Sequence, residues 1–211
     1  MTRTRRTRET MPAWQCAPRR GRAAGQAGVL LVADDAGLRA RLSPPYSPEQ
    51  AALIANAVAA DTLRAVRTLP GGRPRPGRIE HAFDDLRRQA GPGLLVGAEF
   101  PQVSALMLAD AAALLGEFDA VLGLTTGDGW WAFGLRDPAH SALLSALPES
   151  LAGAAALTVA ALRLGLRVAM LPTMPELGSA ADVHAVAERC PPDSNFATAI
   201  ARLTPAGTPG R

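Results

Sequence analysis

Gly127-Asp128-Gly129 holds one carboxylate in a small-residue turn, between an apolar run starting at Ala120 and the aromatic pair Trp130-Trp131. Strand, acidic turn, strand is an order that carries a carboxylate to the rim of a sheet, where a ligand can reach it. Asp beside Gly is also a favoured turn composition with no chemistry attached, so both readings of Asp128 stand at this stage. Trp130 and Trp131 are neighbours on a strand and therefore face opposite ways. One should pack inward; the other is placed to stack on a base or a sugar, with core packing the plainer role for either. Arg39 and Arg41 carry guanidinium forks that suit phosphate oxygens, or are simply exposed loop charges. His81, His140 and His184 have no partner at ligand spacing, and no Ser/His/Asp or Cys/His arrangement can be read.

These groups need elements to place them. Gly28 to Ala33 and Leu94 to Ala98 are apolar runs of strand length, as buried parallel strands are. Asp34 to Gly37 reads as a turn after the first. Ser47-Pro48-Glu49-Gln50 is a helix start with a Ser cap, Pro at the first helical position and Gln three residues after the cap. That helix should run to about Leu69, with Leu53, Ala57, Ala60, Leu63 and Val66 on its inner face. Pro70 to Gly77 reads as an exposed loop and Ile79 to Gln89 as a second helix. Ser104 should cap a helix to about Leu115, and Ala120 to Gly123 and Trp130 to Gly134 should be strands. Helices near Ala139–Ala146 and Leu151–Leu164, a strand Arg167 to Leu171, and helices Ala180–Glu188 and Phe196–Leu203 complete the pattern. Strands alternating with helices predict an α/β domain, three-layer αβα, with a mostly parallel sheet. Open sheets of this kind bind ligands beyond the carboxyl ends of their strands, which singles out Asp34/Asp35, Glu99 and the Gly127–Gly129 turn.

The chain of 211 residues is long enough for one substantial core, and 48% apolar with 19% charged residues is ordinary for a globular domain. Every basic side chain is arginine. The net charge of +3 is unevenly placed: seven arginines before Gly28 face Glu9 alone, and the remainder is mildly acidic. Residues 1–26 are therefore expected to be a flexible Arg-rich arm, 27–203 the domain and 204–211 a disordered tail. A nucleic-acid partner is not expected. No complete signal peptide and no membrane-spanning run is present, and Cys16 and Cys190 make neither a disulfide framework nor a metal motif. A cytoplasmic protein is the expectation.

The order of segments resembles the small bacterial proteins of the GT-A-like nucleotide-diphospho-sugar transferase superfamily, in the branch described as glycosyltransferases or as a domain of unknown function. Arg39-Ala40-Arg41-Leu42-Ser43-Pro44 is similar to that family's Lys-Thr-Arg-Leu-Ala-Pro, and Asp61-Thr62-Leu63 to the end of its first helix. Gly97-Ala98-Glu99-Phe100-Pro101 resembles Gly-Thr-Asp-Ser-Pro. The stretch around Gly127-Asp128-Gly129-Trp130-Trp131 resembles Asp-Gly-Gly-Tyr-Tyr, and Pro175-Glu176-Leu177-Gly178 resembles Pro-Asp-Val-Asp. The resemblance implies a shortened GT-A-like fold and a glycosyltransferase with a nucleotide-sugar donor and an acceptor it does not name. Implied with it are Mg²⁺ or Mn²⁺ on Glu99 and Glu176, phosphate on Arg39 and Arg41, and Asp128 as the catalytic residue. Gly127, Gly129, Trp130 and Trp131 would line the substrate. The family's acids are altered here: Glu99 stands for Asp, the acid at 128 is displaced by one residue, and Gly178 replaces the second distal Asp. Those changes also imply an alternative, a degenerate relative that binds a nucleotide or a partner without turnover. Nucleotidyl transfer is a third.

Overall fold

A computed structural model describes residues 27–32, 35–69, 76–77, 79–88, 90–144, 160 and 164–203. The Arg-rich arm, the Leu151–Leu164 helix apart from 160 and 164, and the tail lie outside the described residues. The apolar runs form strands β1 (Gly28–Val32), β3 (Gly93–Gly97), β4 (Ala120–Thr125), β5 (Trp130–Leu135) and β6 (Val168–Met174). With the two-residue β2 (Pro76–Gly77) they make one sheet in the order β2-β1-β3-β5-β4-β6. β5 alone runs antiparallel to its neighbours, so the sheet is mostly parallel, as expected. The Pro70–Gly77 stretch is not wholly a loop: Pro76 and Gly77 pair with Leu31 and Val32 at the sheet edge. An edge tolerates the missing N–H of Pro76.

Helices cover both faces. Residues of α2 (Pro48–Thr68) and α4 (Ala105–Leu114) meet Val29, Leu31, Leu94 and Val96 on one side. Leu86 of α3 (Ile79–Arg87) meets Leu30, Val32 and Leu95 on the other. A third cluster joins α1 (Asp35–Leu42), α2, α6 (Val183–Ala187) and α7 (Asn195–Leu203). A short 3₁₀ turn at Pro138–His140 leads into α5 (Ser141–Leu144).

Two expectations change here. Asp35 begins helix α1 where the sequence suggests a turn, because tertiary burial of Leu38 and Leu42 in the third cluster outweighs the turn propensity of Asp and Gly. The buried residues of α2 are Ala51, Ile54, Ala55, Val58, Asp61, Thr62, Ala65 and Val66, while Leu53 is 47% exposed. The helix is wedged between the sheet and the third cluster, so it buries two stripes rather than one. Cys190, in a Pro-rich context, is nonetheless buried in that cluster, and burial pushes its thiol pKa up to about 12.

Ser47 caps α2 as its sequence suggests: its hydroxyl accepts from the Gln50 N–H, and Gln50 Oε1 accepts from the Ser47 N–H at 2.9 Å. Ser47→Ala should cost about 1 kcal/mol, or about 2–4 °C of melting temperature, readable by thermal denaturation.

Candidate functional site

Two bulges shape the sheet just before its carboxyl edge. On β5, Ala132 pairs with Gly123 and Trp130 with Leu124, which leaves Trp131 as the extra residue. On β6 the register steps from Leu171, opposite Gly123, to Met174, opposite Thr125, around Pro172 and Thr173. The Trp131 indole N–H donates to the Pro172 carbonyl at 2.9 Å and so joins the two irregularities. Trp131 is fully buried in the core. It cannot stack on a ligand, which corrects its place among the substrate-lining residues. Trp130 is half-buried and packs on the opposite face beside Leu124, so the expected alternation holds.

Beyond the bulges the chain turns back through Gly127-Asp128-Gly129. Thr125 N–H donates to the Gly129 carbonyl at 3.0 Å, and Thr126 N–H to the Met174 carbonyl at 2.9 Å. Asp128 is exposed at the tip. Neither glycine has a positive φ. At Gly127 the space is filled instead: a Cβ there would lie 2.8 Å from Glu176 Oε2.

Arg41 and Glu99, 58 residues apart, meet in an ion pair of 2.5 Å, with side chains 35% and 20% exposed. A pair this open to solvent adds little stability, at most about 1 kcal/mol, so its consequence is placement. Arg39 does not join it. Arg39 and Arg41 sit in the last turn of α1, not in a loop, and two helical positions put them about 200° apart. Arg39 reaches Asn56 on α2 instead, at 3.4 Å.

The Glu99 segment is pinned from below by Thr62, which was not among the expected site residues. Thr62 is fully buried on α2, and its hydroxyl lies 3.1 Å from both Ala98 O and Phe100 O, the carbonyls flanking Glu99. Gln102 ties the same segment to the end of β6 by donating to the Pro175 carbonyl at 2.8 Å. The loops after β3, β4 and β6 thus converge at one edge. Open clefts of about 250 and 410 Å³ flank α2, and neither is lined by Asp128 or Glu176.

The cation implied by the resemblance was to sit on Glu99 and Glu176. Glu99 already faces a guanidinium, and Glu176 Oε2 accepts from the Thr125 hydroxyl at 2.9 Å. Among the described residues no three His, Cys, Asp or Glu side chains gather as ligands. A dication on Glu99 would stand next to the fixed positive charge of Arg41. Among the described residues, Glu99 and Glu176 as placed do not by themselves make a cation site.

Residues 46–150 match the family described as "Uncharacterized protein conserved in bacteria (DUF2064)". Among solved structures, the chain is similar to a "putative nucleotide-diphospho-sugar transferase" from Desulfovibrio desulfuricans G20. The TM-score is 0.68 at 14% identity, over 83% of this chain and 94% of that one. The fold is the nucleotide-diphospho-sugar transferase fold. Rv0371c from Mycobacterium tuberculosis H37Rv matches more loosely, with a TM-score of 0.46 and 15% identity over 78% of this chain and 98% of that one. A comparison with curated proteins finds no match. No described helix is long and apolar enough to cross a membrane.

Proposed function

We propose that the chain is a glycosyltransferase that takes a nucleotide-diphosphate sugar at the carboxyl edge of its sheet. The observation that supports this most is the meeting of Arg41 with Glu99 beside the loops that end β4 and β6. An exposed ion pair of low intrinsic worth lets the guanidinium exchange a carboxylate for diphosphate oxygens, where two parallel N–H donors bind well. Arg41 then stabilises the charge that develops on the leaving diphosphate. The acceptor hydroxyl oxygen forms the new bond to the anomeric carbon while the bond to the diphosphate breaks. The hydroxyl proton passes to Asp128, a contribution of the order of 10²–10⁴-fold for a well-placed base. Trp130, half-buried at the start of β5, is the aromatic left to contact a sugar or base.

A second reading, a nucleotide binder without turnover, draws support from Glu99 and Glu176 each being engaged within the protein. Thermal shift with UDP-, GDP- and dTDP-glucose tests both readings. Ligand at 100 times its dissociation constant should add about 2.7 kcal/mol. Arg41→Ala should weaken binding about ten- to a hundredfold, the worth of a charge-assisted hydrogen bond. Binding together with release of free diphosphonucleotide supports the transferase, and binding without it supports the second reading. No shift with any of the three defeats both.

A further inference from the structure

Glu176 lies under the turn that carries Asp128, and Thr125 stands between them. The Thr125 hydroxyl accepts from the Gly129 N–H at 3.1 Å and donates to Glu176 Oε2 at 2.9 Å. Thr125 is 5% exposed and its two partners are half-buried, so these bonds are partly shielded from competing water. The Thr125 N–H bond to the Gly129 carbonyl closes the same ring from the backbone. The glycines fit around this arrangement. A side chain at Gly127 would run into Glu176 Oε2, and one at Gly129 would come 3.1 Å from the Thr125 hydroxyl oxygen. Both sides of the turn are therefore shaped to the Thr125–Glu176 pair.

We infer that Thr125 is a positioning residue which, anchored by Glu176, sets the turn and thereby Asp128. Glu176 is then the foot of an internal strut rather than a cation ligand. The roles of Gly127 and Gly129 change with it: they admit the strut from inside the protein, not a substrate from outside. The strut itself is independent of the reaction. Its value for catalysis rests on the reading of Asp128 as the base.

Amide hydrogen exchange at Gly129 in the full-length, ligand-free protein tests the strut directly. Thr125→Val removes both hydroxyl bonds and should raise Gly129 exchange about tenfold, the equivalent of one hydrogen bond. Thr125→Ser, which keeps the hydroxyl, should restore protection. Glu176→Gln still offers a carbonyl acceptor and should stay within about threefold of the parent. Should Thr125→Val fail to fold, Gly127→Ala reads the same strut, since its methyl displaces the Glu176 carboxylate. Unchanged Gly129 exchange in Thr125→Val, or in Gly127→Ala where that variant replaces it, overturns the inference. A second arm measures UDP-glucose binding with and without Mn²⁺. The strut predicts that Glu176→Gln binds as the parent does in both conditions. Loss of a Mn²⁺-dependent increase in Glu176→Gln alone would make Glu176 a ligand and also overturn it. If the parent binds no nucleotide sugar while the exchange pattern holds, the transferase reading fails and the strut stands.

Discussion

Trp131→Ala is expected to lower the free energy of unfolding by about 3–5 kcal/mol, the range for emptying a fully buried aromatic site. Domains of this kind have only about 5–15 kcal/mol in total, so the denaturant midpoint should move substantially. Three contributions add up. The indole is lost from the core on the α2/α4 face, the Pro172 carbonyl loses its donor, and the floor beneath the indole becomes a cavity. That floor is Gly123, where a Cβ would come 2.3 Å from the indole nitrogen. Gly123 is glycine because the ring lies flat against its backbone. Gly123→Ala should therefore be severe in the parent and mild in a Trp131→Ala background, a strongly non-additive pair. Additive penalties in urea unfolding would show that the two positions are not in contact. Trp131→Phe separates the terms in part, because it keeps much of the aromatic volume while dropping the indole donor.

Asp61→Ala should cost about 3–5 kcal/mol for a different reason. Asp61 is 4% exposed, and its carboxylate accepts from the N–H groups of Asn195 and Phe196 at 3.0 and 2.8 Å and from the Asn195 side chain at 2.9 Å. Arg64 completes the set at 2.7 Å. The first N–H groups of a helix have no partner of their own, and here α2 supplies one to α7 from 134 residues away. Ser194 takes a further one, from Ala197 at 3.0 Å. Truncation leaves the buried Phe196 N–H unpaired, at about 1–3 kcal/mol, and takes the acceptor from the part-buried bonds of Asn195. Asp61→Asn, which keeps a single acceptor oxygen, should cost clearly less. Amide exchange should rise first in Asn195–Leu203, since that helix loses its anchor before the sheet is affected. A global loss with no preference for α7 would contradict this account.

The fold was legible where local chemistry decides it. The Ser47 and Ser104 caps, the apolar runs of β1, β3 and β4, and the break near Leu69 each depend on residues within a turn or two. Legibility failed where a distant partner decides. α1 was hidden because its helical state depends on Leu38 and Leu42 meeting α6 and α7, not on propensity. β6 was expected to span Arg167 to Leu171, just before Pro172. It continues to Met174 because β6 is an edge strand and the proline falls at a bulge. Thr125 carried no signal, and Thr62 only as part of the Asp61-Thr62-Leu63 resemblance: a buried threonine in an apolar run reads as a strand or helix former until its hydroxyl partners are known.

The sequence alone determined the alternation of strands and helices, the carboxylate in the Gly127–Gly129 turn, and the identity of the groups available for phosphate or proton chemistry. Those follow from backbone periodicity and side-chain type, which are properties of neighbouring residues. Tertiary structure alone decided which of those groups meet. It joined Arg41 to Glu99 and sent Arg39 to Asn56, sealed Trp131 in the core while leaving Trp130 near the rim, and put Glu176 beneath the turn. The physical reason is that one extra residue in a strand, or two positions along a helix, reverses the direction of a side chain. Only the packed neighbours fix that phase.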